Sequence, residues 1–161
     1  MKTAVVYYSM SGNCDYTAKK IAGMLNADLI RLEPEKAYPD SGFKKFFWGG
    51  KAAMMGETPK LKPYAFDPDA YDQIIFGFPV WAANPTPPIR SFIKENSEII
   101  RGKKFAAFAC QSGSGAEKAL AKLKSMLNID TLKAELILID PGEKPGPDKE
   151  KSIADFCAKL V

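Results

Sequence analysis

The sequence predicts an α/β fold: a doubly wound, three-layer sandwich with a five-stranded parallel sheet between helices. Two observations lead there. Short apolar runs rich in β-branched and aromatic residues alternate five times with stretches whose apolar residues recur at helical spacing. Such alternation builds right-handed βαβ units, which place helices on both faces of a parallel sheet. A third observation places the chemistry: three of the loops that would leave strand carboxyl ends, 9–14, 79–88 and 111–115, carry unusual residues. In open α/β sheets ligands bind beyond those ends, where strand order switches.

Residues 3–8 read as a buried strand, and Ala18, Ile21, Ala22 and Leu25 mark the helix that follows. The junction between them is Ser9-Met10-Ser11-Gly12-Asn13-Cys14. The first N–H groups of a helix lack intrahelical acceptors and carry the positive end of its dipole, so the junction suits an anion. Ser9, Ser11 and Thr17 offer hydroxyls and Asn13 an amide. Gly12 allows a sharp turn or a close approach. An ordinary capped helix would use the same residue types. The glycine spacing is that of neither a Walker A loop nor a dinucleotide fingerprint.

Residues 27–32 read as a second strand, half polar through Asp28 and Arg31, as at a sheet edge. Turn-formers bracket residues 34–71, and Phe43, Phe46, Phe47 and Trp48 lie between them with Met54 and Met55. That segment is expected to hold a short helix over the sheet, or else an aromatic flap or dimer contact. The unbroken apolar run 73–78 suits a central strand buried on both faces. It enters the stiff loop Pro79-Val80-Trp81-Ala82-Ala83-Asn84-Pro85-Thr86, and Pro87 and Pro88 suit the first turn of the next helix. A fourth strand over 104–110 ends in Gln111-Ser112-Gly113-Ser114-Gly115, followed by a helix face of Ala116, Ala119, Leu120, Leu123 and Leu127. A fifth strand over 134–139, a turn-rich connector over 141–147 and a helix through Ile153, Phe156, Cys157 and Leu160 complete the pattern.

At 161 residues the chain is expected to form one domain over 1–161, able to bury about 70 % of its unfolded surface without staples. The three cysteines, Cys14, Cys110 and Cys157, are too dispersed for a disulfide framework or zinc spacing. A cytoplasmic location is expected, since the N-terminal apolar run lacks signal-peptide character and no run approaches a membrane span. The chain has no histidine, which removes Ser-His-Asp and Cys-His catalysis. Its net charge of +4 is spread over scattered lysines without a nucleic-acid motif, so neither nucleic acid nor membrane is expected as a partner.

Taken together, these loops resemble those of the flavodoxin family over essentially the full length. Residues 9–14 resemble the family's phosphate loop, [ST]-x-[ST]-G-N-T. Gly77-Phe78-Pro79-Val80-Trp81 resembles the end of its third strand, with the tryptophan that stacks on the flavin. Residues 111–115 sit where its third flavin loop lies. The resemblance implies sheet order 2-1-3-4-5 and FMN as cofactor. It places Ser9, Met10, Ser11, Gly12, Asn13 and Cys14 around the phosphate, and Pro79, Val80, Trp81, Ala82, Ala83 and Asn84 beside the ring. Gln111, Ser112, Gly113 and Gly115 would lie at the ring's polar edge. It also implies either an electron carrier with a redox partner protein or an FMN-dependent reductase using NAD(P)H and a small acceptor such as a quinone, as monomer or homodimer. No catalytic side chain and no metal are expected.

The chain departs from the pattern in four ways. Cys14 replaces threonine, the third loop lacks a shielding tyrosine, and the chain is basic where carriers are acidic. Ala82 stands where carriers often place glycine, so a left-handed backbone there is not expected. A response-regulator-like module is disfavoured because no acidic pair follows the first strand. A low-molecular-weight tyrosine phosphatase would need a cysteine-to-arginine phosphate loop, which Cys14 does not begin.

Overall fold

The computed structural model describes residues 1–38, 51 and 53–161. Five parallel strands form one sheet: β1 (Thr3–Tyr7), β2 (Asp28–Arg31), β3 (Gln73–Pro79), β4 (Lys104–Gln111) and β5 (Glu135–Ile139). Their order is β2-β1-β3-β4-β5. Among the fully described elements, four helices connect or follow them: α1 (Asn13–Leu25), α2 (Pro87–Asn96), α3 (Ala116–Leu127) and α4 (Pro147–Ala158). The predicted class and order are therefore those of the molecule.

The alternation of the central strands explains their unbroken apolar sequences. Ala4, Val6, Ile74, Phe76, Phe78, Ala107 and Ala109 point to one face, where they pack with Ile89, Phe92 and Ile93 of α2 and Ala119, Leu120 and Leu123 of α3. Val5, Tyr7, Ile75, Ala106, Phe108 and Cys110 point to the other, with Ala18, Ile21 and Ala22 of α1 and Ile153 and Phe156 of α4. Both faces are buried, so the strand residues are apolar apart from Thr3 and Gln73, which hydrogen-bond one another at 3.1 Å, the exposed Lys104 and the half-buried Gln111. The two edge strands differ from this. β2 exposes Asp28, Leu29 and Arg31, and β5 exposes Glu135, Ile137 and Ile139 while Leu136 and Leu138 face inward.

Two packing constraints were invisible in the sequence. Gly77 pairs with Tyr7 on one side and Phe108 on the other. A Cβ on Gly77 would lie 2.0 Å from Phe108 Cζ, so the ring occupies the space a side chain would need. Past β2 the chain doubles back: Pro34 bridges Leu61, and the Glu35 N–H donates to the Lys60 carbonyl at 2.8 Å. The expectation of a helix or flap through Phe43, Phe46, Phe47 and Trp48 lies outside the described residues. Met54 and Met55, at its edge, are exposed. No helix among the described residues is long and apolar enough to cross a membrane.

Candidate functional site

β1 is the strand at which the order reverses, and the loops after β1, β3 and β4 border one cleft of about 270 Å³. Ser9, Met10, Ser11, Asn13 and Cys14 form one wall. Pro79, Val80, Trp81 and Ala82 form the second, and Gln111, Ser112, Gly113 and Ser114 the third. A larger cavity, about 450 Å³, opens beside Ile93, Phe105 and Met126. It touches none of the three loops, and Phe105 marks the start of β4, so it lies at the wrong end of the sheet for the rule on strand carboxyl ends.

The first wall is a bent row of backbone donors. Gly12 has φ +96° and caps α1 without a side-chain bond, and nothing lies within 4 Å of where its Cβ would be. Its glycine is required by backbone conformation, since a left-handed φ costs other residues about 1–2 kcal/mol. The Ser9 hydroxyl accepts the Asp15 N–H at 3.1 Å and the Tyr16 N–H reaches the Gly12 carbonyl at 3.0 Å. No acceptor among the described residues takes the N–H groups of Met10, Ser11, Gly12, Asn13 or Cys14. Five outward donors at a helix N-terminus fit a phosphate ester.

The loop is tied down from both sides. Arg31 donates to the Ser9 carbonyl at 3.2 Å and to Asp15 at 3.3 Å. Asp15 also accepts the Tyr7 hydroxyl at 2.7 Å and pairs with Lys19 at 2.7 Å. Lys19 first, then the Tyr7 hydrogen bond and Arg31, holds the Asp15 carboxyl below its ordinary value against the opposing effect of burial. Burial, followed by the bond to Asp15, raises the Tyr7 hydroxyl well above the usual phenol range.

One expected donor and the carbonyl end of a second side chain are engaged within the protein. Thr17 is fully buried, and its hydroxyl donates to the Asn13 carbonyl at 3.0 Å. Asn13 lines the cleft, yet its Oδ1 accepts the N–H groups of Gly142 and Glu143 at 2.9 and 3.2 Å. Asn13 therefore clamps the loop after β5 to the head of α1.

The second wall is a strained turn. The Trp81 N–H donates to the Asn84 carbonyl at 3.2 Å and the Asn84 N–H returns to Trp81 at 2.9 Å. Ala82 and Ala83 between them have φ +50° and +57°. The expectation against a left-handed Ala82 is thus overturned. Positive φ at both central positions is the type I′ geometry of a two-residue turn closed by reciprocal bonds, and the Asn84 side chain donates to the Ala82 carbonyl at 2.6 Å. Strain of this kind persists only where surrounding contacts over-determine it. Tyr8 and Tyr38 meet the Trp81 ring edge-on, at centroid distances of 5.8 and 5.3 Å. Burial lifts the Tyr38 hydroxyl to about 12.

The third wall is held by its neighbours. Ser112 donates to Asp140 at 2.8 Å, and the Gln111 side chain caps α3 by accepting the Ala116 N–H at 3.0 Å. Gly115 has φ +103°, and a Cβ there would meet Ala83 Cα at 3.1 Å, so the second and third walls touch through a glycine. Gly12, Ala83, Asn84 and Gly115 shape the walls without lining the cleft. Cys110 and Glu143 line it and were not anticipated. Cys110 had been read only as a strand end, and Glu143 as part of a connector. Nothing local in either stretch signals proximity to residue 13.

A sequence-family model described as flavodoxin matches residues 2–140. The chain belongs to the flavodoxin family. Solved structures agree in fold. A flavoprotein from Lactobacillus acidophilus NCFM, determined in complex with FMN, is 24 % identical with TM-score 0.71, covering 88 % of this chain and 95 % of that one. Two-electron reduced flavodoxin from Megasphaera elsdenii is 16 % identical with TM-score 0.60, covering 99 % of each chain. Oxidised flavodoxin 1 from Bacillus cereus is 20 % identical with TM-score 0.59, covering 100 % of this chain and 97 % of that one. Among curated proteins, none matches this sequence.

Proposed function

We propose that this flavodoxin-family chain binds FMN non-covalently in the 270 Å³ cleft and serves as a redox protein. One observation carries the reading: a row of outward N–H donors at the head of α1 borders the same cleft as Trp81 and the 111–114 loop. The donors of residues 10–14 would hold the phosphate, each charge-assisted bond contributing roughly 1.5–3 kcal/mol. Trp81, braced by Tyr8 and Tyr38, would offer an aromatic face to the ring. Polar groups of Gln111 and Ser112 would lie beside its polar edge. Bound FMN supplies reversible one- or two-electron chemistry, so the absence of histidine is no obstacle. Isothermal titration tests the reading. FMN should bind one per chain, riboflavin much more weakly because it lacks the phosphate, and Gly12→Val should abolish binding. A protein that shows no heat with excess FMN sinks the proposal.

A second reading, an NAD(P)H-dependent reductase of quinones or similar acceptors, is favoured by the third wall. Trp81 is the one aromatic residue among the described residues lining the cleft, and Gln111, Ser112, Gly113 and Ser114 line it without an aromatic ring. A nicotinamide could stack there, whereas a carrier needs only a docked partner protein. Anaerobic mixing of the FMN-loaded protein with NADH or NADPH separates the two. Rapid bleaching of the flavin selects the reductase, and none without an added reductase selects the carrier.

A further inference from the structure

A second cavity, of about 230 Å³, shares Ser9 and Met10 with the cleft and is otherwise built from other residues. Tyr8 and Tyr38 line it, with Arg31, Glu33 and Pro34 at the end of β2 and beyond, and Lys62 from the returning chain. The bridge between Pro34 and Leu61 puts Lys62 there, and the Lys62 N–H donates to the Glu33 carbonyl at 2.7 Å. Tyr8 is only 6 % exposed, yet no partner among the described residues takes its hydroxyl, and the Tyr38 hydroxyl has none either. A buried polar group left unpaired is costly, so two orphan hydroxyls beside one cavity point to an occupant. Arg31 is engaged by Asp15 and the Ser9 carbonyl, whereas Lys62 is held loosely, 3.6 Å from Glu33. The lining thus sets two cations, Arg31 and Lys62, against one carboxylate, Glu33.

We propose that this second cavity binds a small aromatic carboxylate, its oxygens on the Tyr8 and Tyr38 hydroxyls and Lys62, its ring against the tyrosine rings and Pro34. Three features select that chemistry. The hydroxyls are neutral donors at pH 7, so they need an acceptor oxygen. Burial, then the neighbouring Tyr38, raises the Tyr8 hydroxyl well above the usual phenol range, and burial lifts Tyr38 to about 12. The excess of positive charge in the lining favours an anion over a neutral carbonyl compound. The volume falls below the roughly 300–1,000 Å³ of pockets for drug-sized ligands, which suits a single ring and not a nucleotide. A phosphate, by contrast, is better served by the five N–H donors of the first wall.

The same tyrosines touch the cleft. Their rings meet Trp81 edge-on at 5.8 and 5.3 Å, so an occupant that fixes them also fixes the second wall. Ordering already paid for by one ligand need not be paid again by the next, and the coupling is reciprocal. Carboxylate and FMN therefore strengthen one another's binding. This consequence rests on the FMN reading above; the carboxylate site does not.

The test titrates nitrogen-15-labelled, cofactor-free protein with benzoate and follows the amide resonances. Saturable shifts are expected at Tyr8, Ser9, Arg31, Glu33, Tyr38 and Lys62, with a Kd of about 1 mM, ordinary for so few atoms. Acetate, which lacks the ring, and benzamide, which lacks the charge, should each bind about tenfold or more weakly. Tyr8→Phe keeps the ring and removes one donor to a carboxylate, so it should weaken benzoate about tenfold. Lys62→Met should weaken it about threefold, as befits an exposed cation. Saturating FMN should leave benzoate bound, and benzoate should tighten FMN about threefold. No saturable shift, shifts confined to residues 111–114, displacement by FMN, or a Tyr8→Phe variant that binds like the parent overturns the site. Benzoate binding that leaves FMN affinity unchanged overturns the coupling. Protein that binds benzoate as described and no FMN refutes the cofactor reading alone, and the shifts still decide the second cavity.

Discussion

The turn Trp81–Asn84 stores strain that can be measured. Ala82 and Ala83 sit at φ +50° and +57°. A left-handed conformation costs a residue with a Cβ about 1–2 kcal/mol. Glycine removes that cost but loses roughly 0.5–1 kcal/mol through the greater freedom of the unfolded chain. The Ala82 side chain is exposed, so its removal forfeits little packing. Ala82→Gly should therefore stabilise the cofactor-free protein by about 0.5–1 kcal/mol. Ala83 differs because it packs against Gly115, where an added Cβ would lie 3.2 Å from the Ala83 methyl. Removing that methyl forfeits about 0.8 kcal/mol of burial, which brings Ala83→Gly to roughly zero. Urea denaturation followed by tryptophan fluorescence and far-UV circular dichroism reads both. A gain of 1 kcal/mol moves the midpoint by roughly 0.3–1 M and Tm by about 2–4 °C for a chain of this size. An unchanged or lower midpoint for Ala82→Gly, or a larger gain for Ala83→Gly, would show that the turn is not strained as argued.

Gly77→Ala should destabilise by about 2–3 kcal/mol, because its Cβ collides with Phe108, and Phe108→Leu should recover part of the loss; a silent single substitution refutes the collision. Trp81→Ala should weaken FMN binding about fivefold, the equivalent of ~1 kcal/mol of stacking, and partly restore flavin fluorescence. Unchanged affinity and quenching would leave Trp81 a packing residue. Asp15 carries a pH signature. Its folded-state value lies below the ordinary 3.8, so its contribution is present above that pH and is lost as pH falls through the lowered value. Lys19 and Arg31 are 64 % and 44 % exposed, which limits the contribution to under about 1 kcal/mol. The stability difference between wild type and Asp15→Asn, measured by urea denaturation from pH 6 to pH 3, should shrink on acidification; a constant difference refutes the assignment.

Much of the fold was legible because local pattern and tertiary role coincide. The runs 4–8, 74–78 and 105–110 are apolar at every step because both faces of the central strands are covered, and the half-polar β2 lies at an edge. The helix–strand alternation determined the class, and the hydroxyl-rich junction after β1 pointed to the site. Tertiary structure decided what depends on partners distant in sequence. Thr17 read as a ligand donor, but the Asn13 carbonyl takes its hydroxyl, and the backbones of Gly142 and Glu143 engage the Oδ1 of Asn13 while leaving its NH2 toward the loop. Gly77 reads as one more residue of a buried strand, and only the ring of Phe108 explains why no side chain stands there. Ala82 and Ala83 read as residues that avoid positive φ, yet reciprocal bonds between Trp81 and Asn84 outweigh that local preference. Cys14 and Cys110 read as unrelated thiols, and the packing of α1 on the sheet brings both to the lining of one cleft. A sequence records the preference of each residue for its own conformation. Which polar group finds which partner, and which side chain fills which gap, is settled when helices and strands close on one another and water is excluded between them.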